Sequence, residues 1–448
     1  MHTVIVGAGP TGLYTAIAMA RRGRSVVVVD RDPGPPPHGS WQRRGVMQFH
    51  HAHTFRGRVV DALRAEMPDV LDHLTAAGAE IAMGRGGRPA ALLCRRSTFD
   101  RALRRSASAQ RGITVITGHV DELLQERGRV AGLTVDGSRL AADIVIDASG
   151  RASRFTRAVR PPAEGGDCGA VYVTRQYQRH PNVPPAPVNS PIGLSLDLAG
   201  YLAIAFGHDN GTFSITFIYD GSEKRLRRLR YRDVFEAAVG SIPRLSEWTD
   251  PARSHPITPV LPGGRLYNSY RRQLDRSGHP ALPGLISVGD AVCTTTPLAG
   301  RGVTLALLQA RELVAILEQH PHDITSATAQ FDRWCVDHIR PWFDDHRYTD
   351  ADRVRRWSGG DVDLSRPLPS DLIVAAADAD PQLRRIVEPY RTMDALPASL
   401  IPAEPRARAI FATGWRPLIP DGPTRDELAE LCNATCATPE ASRPPVAV

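Results

Sequence analysis

The opening stretch Thr3–Asp30, TVIVGAGPTGLYTAIAMARRGRSVVVVD, constrains the fold more than any other part of the chain. Val4, Ile5 and Val6 form a β-branched run of the kind that fills a buried parallel strand. Gly7, Gly9 and Gly12 follow in the spacing G-x-G-x-x-G. Gly7 permits a tight turn, Gly9 lets main chain approach a pyrophosphate, and Gly12 lets the next helix lie close to the sheet. Leu13, Ala16, Ile17 and Ala20 make the apolar face of that helix, and Gly23 is placed to end it. Ser25 to Val29 reads as a second buried strand. Asp30 closes it, where a carboxylate accepts hydrogen bonds from an adenosine ribose. The free N–H groups and positive dipole end of the helix, with Pro10 and Thr11 in its first turn, suit two phosphates. Strand, glycines, helix, strand and acid in this order predict a dinucleotide site. FAD and NAD(P) share the adenosine half, so this stretch serves either.

A chain of 448 residues has room for two lobes or more. With 42% hydrophobic and 23% charged residues it has the composition of a soluble globular protein, and no stretch resembles a transmembrane run. The first 30 residues read as strand–helix–strand rather than a signal peptide, so the expected location is cytoplasmic, with no stable membrane association. Net charge is +7 and Lys224 is the only lysine. Acidic residues are interspersed with the arginines, which argues against a nucleic-acid partner. The one dense basic run, Lys224–Arg232, reads as the solvated face of a helix. The six cysteines are scattered without a C-x-x-C pair, which implies neither a zinc cage nor a disulfide framework; Cys432 and Cys436 read as two thiols on one helix face.

Beyond Asp30 and a Pro/Gly loop lie His50, His51 and His53. No partner cluster with ligand spacing accompanies them, so packing beside a cofactor or a polar channel wall is preferred to a metal site. Arg56 to Leu74 reads as an amphipathic helix interrupted or bent at Pro68, and a helix runs from Arg96 to Ala109. Val120 to Val135 predicts a β-meander turning at Arg127-Gly128, with a second hairpin at Asp136-Gly137. Ala142–Ile146 is a further buried strand and runs into Asp147-Ala-Ser-Gly150. A Pro- and Gly-rich stretch from Arg160 to Gly193 marks a change of domain. Leu202, Ile204 and Phe206 alternate, as do Phe213, Ile215 and Phe217, which predicts a hairpin whose apolar face walls a pocket. Leu285 to Asp290 is a strand entering a polar turn, and Pro297 to Gly302 opens a long helix, Val303 to Glu318. The expected domains are 1–160 with 262–346, then 161–261, then a helical 347–448 with a mobile tail from Ala437.

Three ordered motifs stand together: Gly7–Gly12 with Asp30; Asp147-Ala-Ser-Gly150 with Arg151 and Arg154; and Gly289-Asp290 followed by Pro297-x-x-Gly300-x-Gly302. From residue 1 to about 345 the chain resembles the single-component FAD-dependent monooxygenases of the para-hydroxybenzoate hydroxylase fold. The loop Gly45-Val-Met-Gln48-x-x-His51-Ala-His53 is similar to that of bacterial flavin-dependent epoxidases and hydroxylases of specialised metabolism, which usually carry proline where this chain has Met47. Arg96-Ser-Thr-Phe-Asp100-x-x-Leu103 is similar to a helix start shared by these enzymes and the geranylgeranyl reductases.

The resemblance implies an α/β fold: a Rossmann-like FAD-binding domain of parallel sheet with β-meander, an antiparallel-sheet substrate domain and a helical C-terminal region. It implies that Gly7, Gly9, Pro10, Thr11 and Gly12 hold the FAD pyrophosphate, Asp30 the ribose and Arg96 the phosphates. Arg31, Arg44, Gln48, Asp147, Gly150, Gly289, Asp290 and Pro297 would also border the cofactor, with Gly300, Arg301, Gly302 and Val303 beside the flavin ring. It further implies transient NADH or NADPH, a flavin C4a-hydroperoxide, and hydroxylation or epoxidation of a hydrophobic polyketide, terpenoid or aromatic, by a monomer or homodimer. The hairpin rows at 202–206 and 213–217 are the expected pocket wall. His51, His53 or Tyr172 would act as base for a phenol. Rivals are a flavin halogenase, whose W-x-W-x-I-P signature is missing, an FAD-dependent reductase of the geranylgeranyl reductase type, and a non-catalytic flavin protein. Cys293 is read as a buried thiol in preference to a flavin thioether.

Overall fold

The computed structural model describes residues 1–36, 39, 41–43, 45–46, 48–151 and 153–435. Strand Thr3–Val6 lies in the middle of a five-stranded parallel sheet, in the order Leu285–Ser287, Ile144–Asp147, Thr3–Val6, Val26–Asp30, Ile113–Thr117. Successive side chains of a strand point to opposite faces. Ile5, Val28 and Ile146 therefore pack on the helices Pro10–Arg21, Arg96–Ala109 and Gly302–Gln319, through Leu13, Ile17, Leu103 and Leu313. Val4, Val29 and Val145 face the other way, onto Leu133 and Val135 of an antiparallel meander, Val120–Glu126, Arg129–Val135 and Ser138–Ala141. Both meander turns carry positive φ at two successive residues, 51° and 73° at Arg127-Gly128 and 46° and 77° at Asp136-Gly137, as two-residue hairpin turns require.

A second, antiparallel sheet runs in the order Leu194–Leu198, Tyr201–Gly207, Thr212–Asp220, Ala170–Arg179, Ser254–Pro256. One of its faces is sealed by Phe213, Ile215 and Phe217 packing on Val234, Phe235 and Leu245 and on Leu428 of the helix Arg425–Ala434. The opposite face carries Tyr172, Leu202, Ile204 and Ile218 against Leu298 and Trp357. Helices Ile324–His338 and Arg340–Trp357 follow the Gly302 helix, and Leu372, Ile373, Val387 and Phe411 from the segment after them join the first core.

The helical stretch expected from Arg56 to Leu74 is interrupted at Pro68 into two helices, Gly57–Glu66 and Pro68–Ala76, because Pro68 starts a new first turn. The basic run lies, as expected, on a solvated helical face, with Lys224, Arg225, Arg227 and Arg230 exposed. Arg225–Arg230 is a 3-10 helix with Leu226 and Leu229 fully buried, and Arg228 donates to the carbonyls of Cys432 at 2.8 Å and Thr435 at 3.0 Å, fastening the last helix. Cys436, expected to share a helix face with Cys432, and the tail from Ala437 lie outside the described residues. Among the described residues no helix is long and apolar enough to cross a membrane.

Candidate functional site

A cavity of about 3420 Å³ opens at the C-terminal ends of the parallel strands, where open α/β sheets bind ligands. Its wall runs from Gly7, Gly9, Pro10, Thr11, Asp30 and Arg31 past Arg96, Gly150, Asp290 and Pro297–Val303 to Tyr172, Leu202, Ile204, Phe206 and Ile218 on the free face of the second sheet. The motifs that lie far apart in sequence thus share one cavity.

The glycines divide into two kinds. A Cβ on Gly12 would lie 1.9 Å from the Gly7 carbonyl oxygen, and one on Gly7, whose φ is 108°, would lie 2.4 Å from that of Ala148. The protein's own backbone demands those two. A Cβ on Gly9 would meet nothing closer than Arg43 Nη1 at 3.7 Å, and one on Gly302 nothing closer than Thr295 Oγ1 at 3.8 Å. Neither has positive φ, so these two glycines leave open space on the cavity side that a close-lying ligand would use. Gly9 and Arg301 begin the helices Pro10–Arg21 and Gly302–Gln319 without a side-chain cap, so first-turn N–H groups remain for a ligand. The residues present fit a bound FAD: uncapped amides for phosphates and a glycine-floored turn for a planar ring.

Asp30 accepts from Ala8 N at 2.5 Å and Arg43 Nη2 at 2.8 Å on one oxygen, and from Asp32 N at 2.8 Å on the other. A carboxylate has about four acceptor sites, which leaves room for one ribose hydroxyl. Arg43 continues to Asp100 Oδ2 at 2.7 Å, and Asp100 Oδ1 accepts from Arg96 Nε at 2.6 Å. Burial disfavours the Arg43 charge, but Asp100 and Asp30 outweigh it and raise its pKa. This buried chain of alternating charges ties the ribose-side acid to the expected phosphate-side arginine. Arg43 and Asp100 were missed as site residues; the repeated Arg-Arg at 43–44 was the signal, and Arg44 itself lies outside the described residues.

Several expected contacts are placed elsewhere. Asp147 is fully buried and spends its carboxylate on Ser149 N and Oγ, Ser153 Oγ and Thr156 Oγ1, so it braces a turn and does not line the cavity. Gly12 and Gly289 shape the wall from behind; Gly289 donates to Gln309 Oε1 at 3.0 Å. Phe213, Ile215 and Phe217 do not line the pocket. Leu202 pairs with Ile218 and Ile204 with Thr216, so the odd-numbered row lies on the helix-covered face. Arg301 lines the cavity, but its guanidinium points to the C-terminal segment. Cys293 is 2% exposed in the first core and off the cavity wall, which removes the geometric basis for a thioether. Asp290 does face the cavity; surrounding protein desolvates it and raises its pKa, opposed by Arg96 and Arg151.

The three base candidates all line the cavity, yet burial works against each. It pulls His51 and His53 down to about 3 and holds the Tyr172 phenol far above its ordinary value. His53 Nδ1 faces the His51 carbonyl at 3.0 Å and Nε2 lies 3.4 Å from Arg96 Nη1, so this ring orients Arg96. The His51 ring packs edge-on against Tyr172 at 4.6 Å. Tyr172 Oη, with Gln48 beside it, lacks a hydrogen-bond partner among the described residues, which suits it to donate to a bound molecule. Among the described residues no group of three His, Cys, Asp or Glu side chains is arranged to hold a metal.

Burial likewise draws His208, hydrogen-bonded to Ser214 Oγ at 2.7 Å, down to about 4. Between pH 4 and 6.5 the unfolded chain binds protons at these histidines that the folded chain refuses, so stability rises with pH there. Each such group contributes about 1.4 kcal/mol per pH unit within its window. Urea unfolding of His208→Asn is expected to lose less stability than the parent from pH 6.5 to 4.5; equal losses would count against a neutral buried His208.

Residues 3–170 match the FAD dependent oxidoreductase family. The chain is 26% identical over 175 residues to the FAD-dependent monooxygenase atnJ of Arthrinium sp, across 36% of this chain and 39% of the relative. It is 24% identical over 367 residues to the probable electron transfer flavoprotein-quinone oxidoreductase YdiS of Escherichia coli K12, across 74% of this chain and 80% of the relative. Among solved structures, the flavin-dependent brominase Bmp2 superposes with a TM-score of 0.66 at 15% identity, covering 92% of this chain and 98% of that one. PqsL of Pseudomonas aeruginosa, a probable FAD-dependent monooxygenase, superposes with a TM-score of 0.58 at 16% identity, covering 80% and 100%. At such identities the superpositions establish the shared fold: a Rossmann-like core, antiparallel sheet and C-terminal helices.

Proposed function

We propose that this oxidoreductase is a monooxygenase, reduced by NADH or NADPH, that adds one atom of O2 to a hydrophobic polyketide, terpenoid or aromatic compound. The observation that supports this most is the continuity of one cavity from the Gly9–Asp30 groove, past the Gly300–Gly302 turn, to an apolar sheet face. Bound FAD would supply electron transfer from the nicotinamide and activation of oxygen. The chain's own part is to bind and to exclude water. Backbone N–H groups of Gly9 and Thr11 would hold phosphates, Asp30 would hold the ribose, and the amides that start the Gly302 helix would favour the ring's negative charge on reduction. Leu202, Ile204, Ile218 and Leu298 form a dry wall, and Tyr172 Oη orients a substrate oxygen. Burial weakens the basicity of both histidines and holds the phenol protonated, so these three side chains are poor bases toward a substrate hydroxyl. That favours a carbon already electron-rich, such as an alkene, over a phenol that must first lose a proton.

The test is anaerobic reduction by NADPH or NADH with candidate substrates, followed by oxygen and mass analysis of products. A gain of one oxygen atom is expected. The second reading, an FAD-dependent reductase or dehydrogenase of the geranylgeranyl reductase type, is favoured by the match to YdiS over most of the chain. A gain of two hydrogens without need for oxygen would establish it instead.

A further inference from the structure

The Pro297–Gly302 turn is gripped by two arginines on the cavity wall, Arg56, half-buried, and Arg301, buried. Arg56 donates from Nη2 to the Ala299 carbonyl at 2.7 Å and from Nε to that of Gly300 at 3.4 Å. Arg301, the residue that begins the Gly302 helix, is 6% exposed, with its guanidinium 4.5 Å from the Trp342 ring and 4.3 Å from the Tyr390 ring. Its Nη1 donates to Tyr390 Oη at 2.9 Å and lies 3.1 Å from His346 Nε2. Tyr390 Oη is in turn 2.7 Å from both Asp345 Oδ2 and Ser370 Oγ.

This arrangement holds more positive charge than it neutralises. Asp345 is the one carboxylate bonded to Arg301 among the described residues, at 3.5 Å, and burial disfavours its charge. Burial and then the fields of Arg301 and Arg391 lower Arg56 to about 10. A surplus of poorly solvated cations costs stability unless a bound anionic group gains from it. Resting on the FAD site argued above, we propose that Arg56 and Arg301, the latter set in place by Tyr390, are positioning residues that hold positive charge beside the turn. They thereby favour the cofactor's reduced, negatively charged form over its oxidised form. The C-terminal segment is then part of the cofactor site: Tyr390 supports Arg301 across 89 residues of sequence.

The experiment uses the full chain loaded with FAD. Midpoint potentials are measured by equilibration with a reference dye, alongside FAD content and Tm. Arg301→Met is expected to lower the equilibrium constant for two-electron reduction at least tenfold, about 30 mV. Arg301→Lys restores most of that loss by restoring the charge, and Tyr390→Phe falls between. A merely structural arginine would shift Tm and leave the potential where it was. Full FAD content with an unchanged potential in Arg301→Met would overturn the proposal while leaving the FAD site intact. Should Arg301→Met fail to fold, Arg56→Met carries the same expectation and the same refutation. A parent chain that takes up no FAD overturns the site itself, and this proposal with it.

Discussion

Gly302→Val is expected to leave the unliganded chain about as stable as the parent and to weaken FAD binding about 100-fold, roughly 2.7 kcal/mol. The new Cβ would meet no protein atom within 3.8 Å, and the φ at this position suits any residue. Valine is no worse than glycine in a helical first turn. Its two methyl groups would project into the cavity beside the uncapped amides, where the ring edge must come close. Gly12→Val provides the contrast, because its Cβ would strike the Gly7 carbonyl oxygen at 1.9 Å and stability and binding should be lost together. Thermal melts without ligand and fluorescence titration with FAD separate the two cases. Equal FAD affinity in Gly302→Val and parent would place the cofactor elsewhere.

Asp100→Ala is expected to be the most destabilising single exchange near the site. Asp100 is 1% exposed and accepts from Arg43 at 2.7 Å and Arg96 at 2.6 Å. Removing it leaves two guanidinium groups with Asp30, and Asp32 at longer range, to compensate, and breaking a buried pair in this way typically costs about 3–5 kcal/mol. Urea unfolding of the FAD-free chain measures this. A cost below about 1 kcal/mol, the range of a surface ion pair, would mean that water reaches the cluster.

What the sequence made legible was whatever the backbone itself dictates. Gly7 and Gly12 are fixed by atoms within a few residues or on the adjoining strand, so their spacing carries the turn with it. The Arg127-Gly128 and Asp136-Gly137 turns are equally local. The pocket wall was half legible. Alternation showed two apolar rows, but not which faces they take. Because Leu202 pairs with Ile218, residues of like parity share a face, so the row at 213–217 points away from the row at 202–206. That register depends on the loop at His208–Gly211, where Asn210 takes a φ of 56°. Asp147 carried the right motif and the wrong role, since its neighbours Ser149, Ser153 and Thr156 consume its acceptors. Arg43 lies in an aperiodic loop, and the Arg301–Tyr390 bond spans 89 residues; no local pattern announces such a contact.

The most direct measurement is a calorimetric titration of the purified full chain with FAD. Saturable binding of one FAD per chain is expected, with the affinity lost in Gly302→Val. A chain that takes up no FAD, or takes it up regardless of residue 302, would contradict the site.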